Sequence, residues 1–248
     1  MSSRLAATAL LCALAACGGD APPAPPQRQP TPLDPTTTGT ITGEVRFEGT
    51  PPAMKEIRFG SFTECAAQHP EPVYTDDALV HDGRVQNAFV YIADGLGDRV
   101  FAVPEAPVAI DQRGCRYTPR VAGARVGQLI TFVNSDPAVH NVHGTPAGAP
   151  GWNFVLSRRG AERQIRLAQP QVAVSVRCDL HPWMQAWIAV VDHPYFAVTG
   201  RDGTFRLAGV PPGTYTVTAW HERFGTRSVH VTLPERGSAT ATFTFSAS

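Results

Sequence analysis

Apolar and polar side chains alternate along Gln171-Val172-Ala173-Val174-Ser175-Val176-Arg177-Cys178, the period of a β-strand, which sends Val172, Val174, Val176 and Cys178 to one face. Leu129-Ile130-Thr131-Phe132-Val133-Asn134 is a second strand-like run that ends shortly before His140. Ile41 to Phe47, Val85 to Ile92, Val108 to Ile110 and Ala186 to Val191 read as further strands, with Trp152 to Val155 and Gln164 to Leu167 as edge or partner strands. Toward the C-terminus come Thr204 to Leu207, Thr214 to Trp220, Val229 to Leu233 and Ala239 to Phe245. Turns such as Gly49-Thr50-Pro51-Pro52, Gly95-Leu96-Gly97 and Val210-Pro211-Pro212-Gly213 punctuate these runs, and long segments of period 3.6 are absent. The pattern predicts an all-β chain. Between Pro52 and Val85 it carries no readable period.

Chemistry concentrates in Cys178-Asp179-Leu180-His181-Pro182-Trp183-Met184, with His140-Asn141-Val142-His143 upstream. Two strand ends and one short loop can bring two imidazoles and a thiolate around a single ion. Beyond the first residues the only methionines are Met54 and Met184, so a Met falling three residues after a His that itself follows a Cys by three is not ordinary core filling. Two His and one Cys in trigonal array, with a thioether at longer axial distance, are the donors favoured by copper cycling between Cu(I) and Cu(II).

At these residues the chain resembles the cupredoxins, in particular amicyanin and the plastocyanins. The resemblance runs through Val126 to Asn134, His140 to His143, Cys178 to Met184 and the strand Ala186 to Val191, about a third of the chain. It implies one mononuclear type 1 copper, with His140, Cys178 and His181 as equatorial ligands and Met184 as the axial one. Asn141 matches the family's supporting Asn, which ties the two ligand loops together. His143 also matches a residue of amicyanin that is not a ligand.

The first residues are those of an export signal: Arg4, then an apolar run from Leu5 to Ala16 too short to span a bilayer. Leu14-Ala15-Ala16-Cys17 resembles the bacterial lipobox, which implies cleavage before Cys17 and a lipid on its thiol. Gly18 after the Cys implies release to the outer membrane, so the expected location is the periplasm or the cell surface, with the membrane contacted through the N-terminal lipid anchor. From Ala21 to Thr38 seven of eighteen residues are proline, the composition of an extended spacer. With Cys12 lost in the signal, Cys17 lipidated and Cys178 on the metal, Cys65 and Cys115 remain. In an exported protein the simplest reading is a disulfide, and the competing one is a second metal site using Cys65 and His69.

The segment after Asp192 resembles the carboxypeptidase regulatory-like domain, a small transthyretin-like β-sandwich whose members are mostly structural or binding modules. It lacks that family's opening strands, which Gly43 to Pro52 and Asn87 to Ile92 resemble. The expected organisation is a signal at 1–16, a lipidated Cys and linker at 17–38, N-terminal strands at 39–103, a cupredoxin-type Greek-key sandwich at 104–192 and a smaller antiparallel sandwich segment at 193–248. One alternative inserts the copper domain into a regulatory-like domain built from both flanks; the other places two domains in succession. His221 and Glu222 read as solvated strand-end residues.

Charge adds little, since 21 basic and 21 acidic residues cancel, and no nucleic-acid footprint follows. No nucleophile elbow, H-E-x-x-H or C-x-x-C-H haem site is present, so an enzyme is not expected. The expected function is single-electron carriage between redox partner proteins. Copper sequestration or delivery, and a surface scaffold with a structural metal, are the alternatives. His181 is expected to lie nearest the surface as the electron's exit, with Trp183 in the docking patch.

Overall fold

The computed structural model describes residues 28–247, so the export signal and Cys17 lie outside the described residues. Strands β1 (Gly39–Glu48), β2 (Val80–His81), β3 (Arg84–Val85) and β4 (Phe89–Asp94) come first, and a four-residue helix α1 (Thr63–Ala66) interrupts the segment after β1. Next are β5 (Val108–Gln112), β6 (Tyr117–Thr118), β7 (Val121–Arg125), β8 (Ile130–Asn134) and β9 (His140–Thr145). They are followed by β10 (Trp152–Leu156), β11 (Glu162–Ile165), β12 (Gln171–Arg177) and β13 (Gln185–Val191). The last are β14 (Phe196–Val198), β15 (Thr204–Val210), β16 (Gly213–His221), β17 (Gly225–Leu233) and β18 (Ser238–Ser246). The protein is all-β, a larger sandwich joined to a smaller one, and the smaller is not purely antiparallel as expected, because β1 and β18 run parallel.

In the larger sandwich one sheet runs β10-β9-β12-β13-β7 and the other β11-β8-β5-β6. Alternating apolar side chains from both inner faces meet in a core that includes Ile110, Ile130, Phe132, Val142, Val174, Val176 and Ile188. Cys178 and Met184 belong to the same buried cluster. Val172 does not. The register of β12 against β13 slips between Gln171 and Val174, where Ala173 takes a φ of 70°, so Val172 leaves the face that the strict alternation gives it and packs instead with Phe89, Val121 and Val191.

In the smaller sandwich β1 lies between two strands from the far end of the chain, antiparallel to β15 on one side and parallel to β18 on the other. The pairing runs Ile41↔Leu207 and Ile41↔Ala239, so the apolar face of β1, with Ile41, Val45 and Phe47 buried, is continuous with Phe205, Leu207, Phe243 and Phe245. The facing sheet runs β14-β4-β16-β17. The strand expected from Val85 to Ile92 is two strands in two different sheets. Asn87, in the left-handed region at φ 65°, turns the chain between β3 and β4.

The chain leaves the smaller sandwich through β4 and re-enters through β14, and these two strands pair, Phe196 with Tyr91 and Val198 with Phe89. The exit and return are neighbours in one sheet, which is the geometry that lets a whole sandwich be inserted at a loop. A third apolar cluster, with Phe89, Val121, Ala189 and Val191 at its centre, joins the two bodies. There β7 passes so close to the neighbouring rings that a Cβ on Gly123 would stand 2.4 Å from Phe196 and 2.8 Å from Phe89. A glycine is required at that crossing.

Three local expectations change. Part of the proline-rich spacer is docked, since the Thr31 N–H bonds the Val100 carbonyl and the Arg236 N–H bonds that of Thr37. His221 is buried and stacked on Phe224, with ring centroids 4.4 Å apart. Glu222 is ion-paired with the buried Arg120, so neither residue is a solvated strand end.

Candidate metal centre

β9 begins at His140, and β12 ends one residue before Cys178. These strands are neighbours in one sheet, with Arg177 opposite His143, so the two expected ligand positions arise at the same end of the sandwich. The loop after Cys178 is closed by its own backbone: the Met184 N–H donates to the His181 carbonyl at 2.9 Å, and the Cys178 N–H donates to the Met184 carbonyl at 3.1 Å. His181 is thereby turned back toward Cys178, and Met184 is returned to the core.

Nδ1 of His140 lies 3.0 Å from Nδ1 of His181, and the latter is 3.6 Å from Cys178 Sγ. All three residues are buried. Nε2 of His140 faces the Asp136 carboxylate at 2.9 Å, which assigns the ring proton to Nε2 and leaves Nδ1 as a donor of electrons. Across that 3.0 Å a neutral His181 can donate its Nδ1–H to the free Nδ1 of His140, and a metal cation would take the place of that proton. Burial pushes the Cys178 thiol upward, but interaction with the His140 and His181 imidazoles outweighs it and brings the pKa down to about 6. Burial opposes protonation of His140, and its partners Asp136 and Cys178 raise its pKa nonetheless. The donor set fits a soft or borderline cation, and Met184 would complete it from the apolar side.

Asn141 ties the two ligand segments together. Its Oδ1 accepts from the Asp179 N–H at 2.7 Å and from Cys178 Sγ at 3.3 Å, while its Nδ2 donates to Asp179 and Asn153. The Tyr117 hydroxyl donates to the Asn141 carbonyl at 2.8 Å, fixing the backbone beside His140. His143 bonds Asp179 and stands outside the group formed by His140, Cys178 and His181.

Cys65 and Cys115 form a disulfide across 50 residues, with Cα atoms 5.6 Å apart. The alternative pairing of Cys65 with His69 in a metal site is not formed, because His69 Nε2 instead faces the Gly114 carbonyl at 2.7 Å. Through the disulfide the irregular segment that carries α1 is fastened over the site. Phe62 packs edge-on against His181, and Trp183 packs against Phe59 and Phe62 while its Nε1 donates to the Cys115 carbonyl. His181 is consequently only 4% exposed. His181 is still the most exposed of the four expected ligands, against 0% for His140, 1% for Met184 and 2% for Cys178, but this cover keeps its edge from open solvent, and the Trp183 ring, assigned to a docking patch, is partly engaged inward by the same residues.

Asp136, Phe59 and Phe62 are the site residues that sequence reasoning missed. The spacing of Asp136 four residues before His140 was a usable signal. For the two phenylalanines the one available signal was their proximity to Cys65, which becomes informative only when Cys115 is known to lie beside the ligands.

Residues 181–246 match the sequence model of the carboxypeptidase regulatory-like domain. That match omits β1, the strand lying between β15 and β18. No curated protein matches the chain. Among solved structures, a methionine-to-alanine mutant of amicyanin in its Cu(I) form is 18% identical, with a TM-score of 0.32, over 41% of this chain and 97% of that one. A purple cupredoxin from Nitrosopumilus maritimus is 20% identical, with a TM-score of 0.29, over 34% and 98%. A Cu-containing nitrite reductase (NirK) from Thermus scotoductus SA-01 is 24% identical, with a TM-score of 0.31, over 38% of this chain. This chain spans about a quarter of the nitrite reductase, 24% of its length.

Proposed function

We propose that this protein carries single electrons on one mononuclear copper ion held by His140, Cys178 and His181, with Met184 as axial ligand. The observation that carries the reading is the convergence of two Nδ1 atoms and the Cys178 sulfur in a buried group, each held by a neighbour. His140 is oriented by Asp136, Cys178 by Asn141, and His181 by the closed loop and Phe62. When bound, copper supplies a one-electron couple that needs no proton transfer. The residues around it exclude water and hold the donors in one arrangement for both oxidation states, which keeps the reorganisation small.

The proposed setting is the periplasm or the cell surface, with the chain tethered to the outer membrane by lipid on Cys17. A buried disulfide suits that compartment. An electron leaving by way of His181 passes Phe62 or Trp183 rather than entering solvent directly. Val139 and Leu180, each next to a ligand in the chain and respectively 44% and 46% exposed, are the apolar side chains we assign to brief docking of a redox partner protein. The role is carriage, and no residue is assigned to catalysis. Voltammetry of the copper-loaded protein tests it: a reversible one-electron wave is expected, and the absence of a reversible wave would contradict the reading.

A further inference from the structure

We infer that Cys65, Cys115 and His181 form a second soft-metal site, which becomes available to Cu(I) when the disulfide is reduced. The site borrows His181 from the centre proposed above and otherwise stands apart from it. One ligand atom from each of the three residues lies within 4.8 Å of the other two, and all three residues are buried. Two thiolates and an imidazole at that separation are within reach of one ion, given metal–sulfur bonds of about 2.3 Å. Soft thiolate donors select Cu(I). Nδ1 of His181 faces His140 and Cys178, and an imidazole can ligate through either ring nitrogen.

What makes this a site rather than two sulfurs that happen to be near a histidine is that both cysteines are held by bonds other than their own. The Cys115 N–H donates to Asp136 Oδ2 and the Gly114 N–H to Oδ1, each at 2.7 Å. The Cys115 carbonyl accepts from Trp183 Nε1 at 2.9 Å. These bonds keep Cys115 at a φ of 52°, with its sulfur toward the histidines. Cys65 sits on α1, whose backbone bonds to the Phe62 carbonyl, while Phe59 and Phe62 pack on Trp183 and His69 bonds the Gly114 carbonyl. Opening the S–S bond therefore leaves two thiols facing the same imidazole. Two thiolates buried together without a counter-charge are costly, and a cation between them removes that cost.

The chemistry balances with a dithiol as reductant. The external dithiol is oxidised to its disulfide and supplies two electrons and two protons, which convert the Cys65–Cys115 bond to two thiols. Binding of Cu(I) then displaces protons from the sulfurs that ligate it and, where the Cys178 centre is filled as well, the remaining ring proton of His181, whose imidazolate bridges the two ions through Nδ1 and Nε2. In the oxidised chain the same sulfurs are bonded to each other and offer no thiolate.

The test is an anaerobic Cu(I) titration against a colorimetric Cu(I) chelator. One sample is the chain with its disulfide intact, and the other is the same chain after treatment with a dithiol and removal of that reagent. The expected result is one additional Cu(I) per chain in the reduced form, two against one. The Cys65→Ser/Cys115→Ser variant should stay at the lower count under both conditions; if that variant does not fold, the comparison of one unmodified chain in two redox states stands on its own. Equal counts would overturn the inference. So would an extra copper bound only by a reduced chain that has lost its native circular dichroism. Should the Cys178 centre take no copper, the expected counts become one and zero, so the two readings fail separately.

Discussion

The Phe62 ring stands edge-on to the His181 imidazole, with centroids 4.9 Å apart and planes inclined by 62°. Phe62 comes from a segment more than a hundred residues earlier in the chain, fastened there by the Cys65–Cys115 bond. A histidine that the ligand loop by itself would leave near the surface is thus covered by a distant part of the fold.

Removing that ring should uncover His181. In Phe62→Ala, one more histidine should react with diethyl pyrocarbonate in metal-free protein, and stability should fall by about 1–2 kcal/mol, as expected for a half-buried ring. Unchanged histidine reactivity would show that the cover does not depend on Phe62.

Cutting the disulfide should cost more. A closed loop of 50 residues contributes about 4 kcal/mol in the chain-entropy account. The midpoint of urea unfolding should drop accordingly in Cys65→Ser/Cys115→Ser, with an unchanged native circular dichroism spectrum in water. A midpoint equal to that of the unmodified chain would contradict this.

The matched segment should not fold alone. Residues 181–248 lack β1, so β15 and β18 lose the strand between them, and their exposed edges and apolar faces have no partner. The isolated fragment should show no cooperative thermal transition, whereas the chain from residue 28 onward should. A sharp transition in the fragment would mean that β1 is dispensable.

Stability should fall on acidification, through two buried histidines outside the metal centre. Burial is the leading cause that lowers His193 and His221 to about 4 from an ordinary value of 6.5. Their depressed folded values mean that the unfolded chain takes up protons first. The neutral forms contribute fully above pH 6.5, and the contribution is lost as pH falls from 6.5 toward 4, at about 1.4 kcal/mol per pH unit for each imidazole. Replacing His221 by Gln should flatten that slope in urea titrations between about pH 6 and pH 4.5. An unaltered slope would exclude His221 as its source.

Much of this was legible along the chain because strand period and ligand spacing are local. Val174, Val176 and Cys178 share a buried face as their alternation predicts, and His140, Cys178 and His181 come together because the first two sit at or just beyond strand ends and the short loop between β12 and β13 returns the third to them. The pairing of β1 with the C-terminal strands was also foreseeable, since neither flank has enough strands by itself. The failures are non-local or depend on single backbone angles. Ala173 and Asn87 adopt positive φ, which breaks the period in β12 and splits one expected strand into two. His221 looks polar and terminal in sequence, and its burial follows from the stacked Phe224 ring. The cover over His181 is carried by residues whose own stretch has no period at all, so only the three-dimensional path of the disulfide reveals it.

The central claim rests on a bond between copper and the Cys178 sulfur, and the most direct measurement is the visible and electron-spin spectrum after one equivalent of Cu(II) is added to the protein comprising residues 28–248. The predicted result is an intense blue thiolate-to-copper band with a narrow copper hyperfine splitting, lost in Cys178→Ser and kept in Met184→Leu. A weak, pale absorption in the unmodified chain, or the same spectrum in Cys178→Ser, would contradict the account.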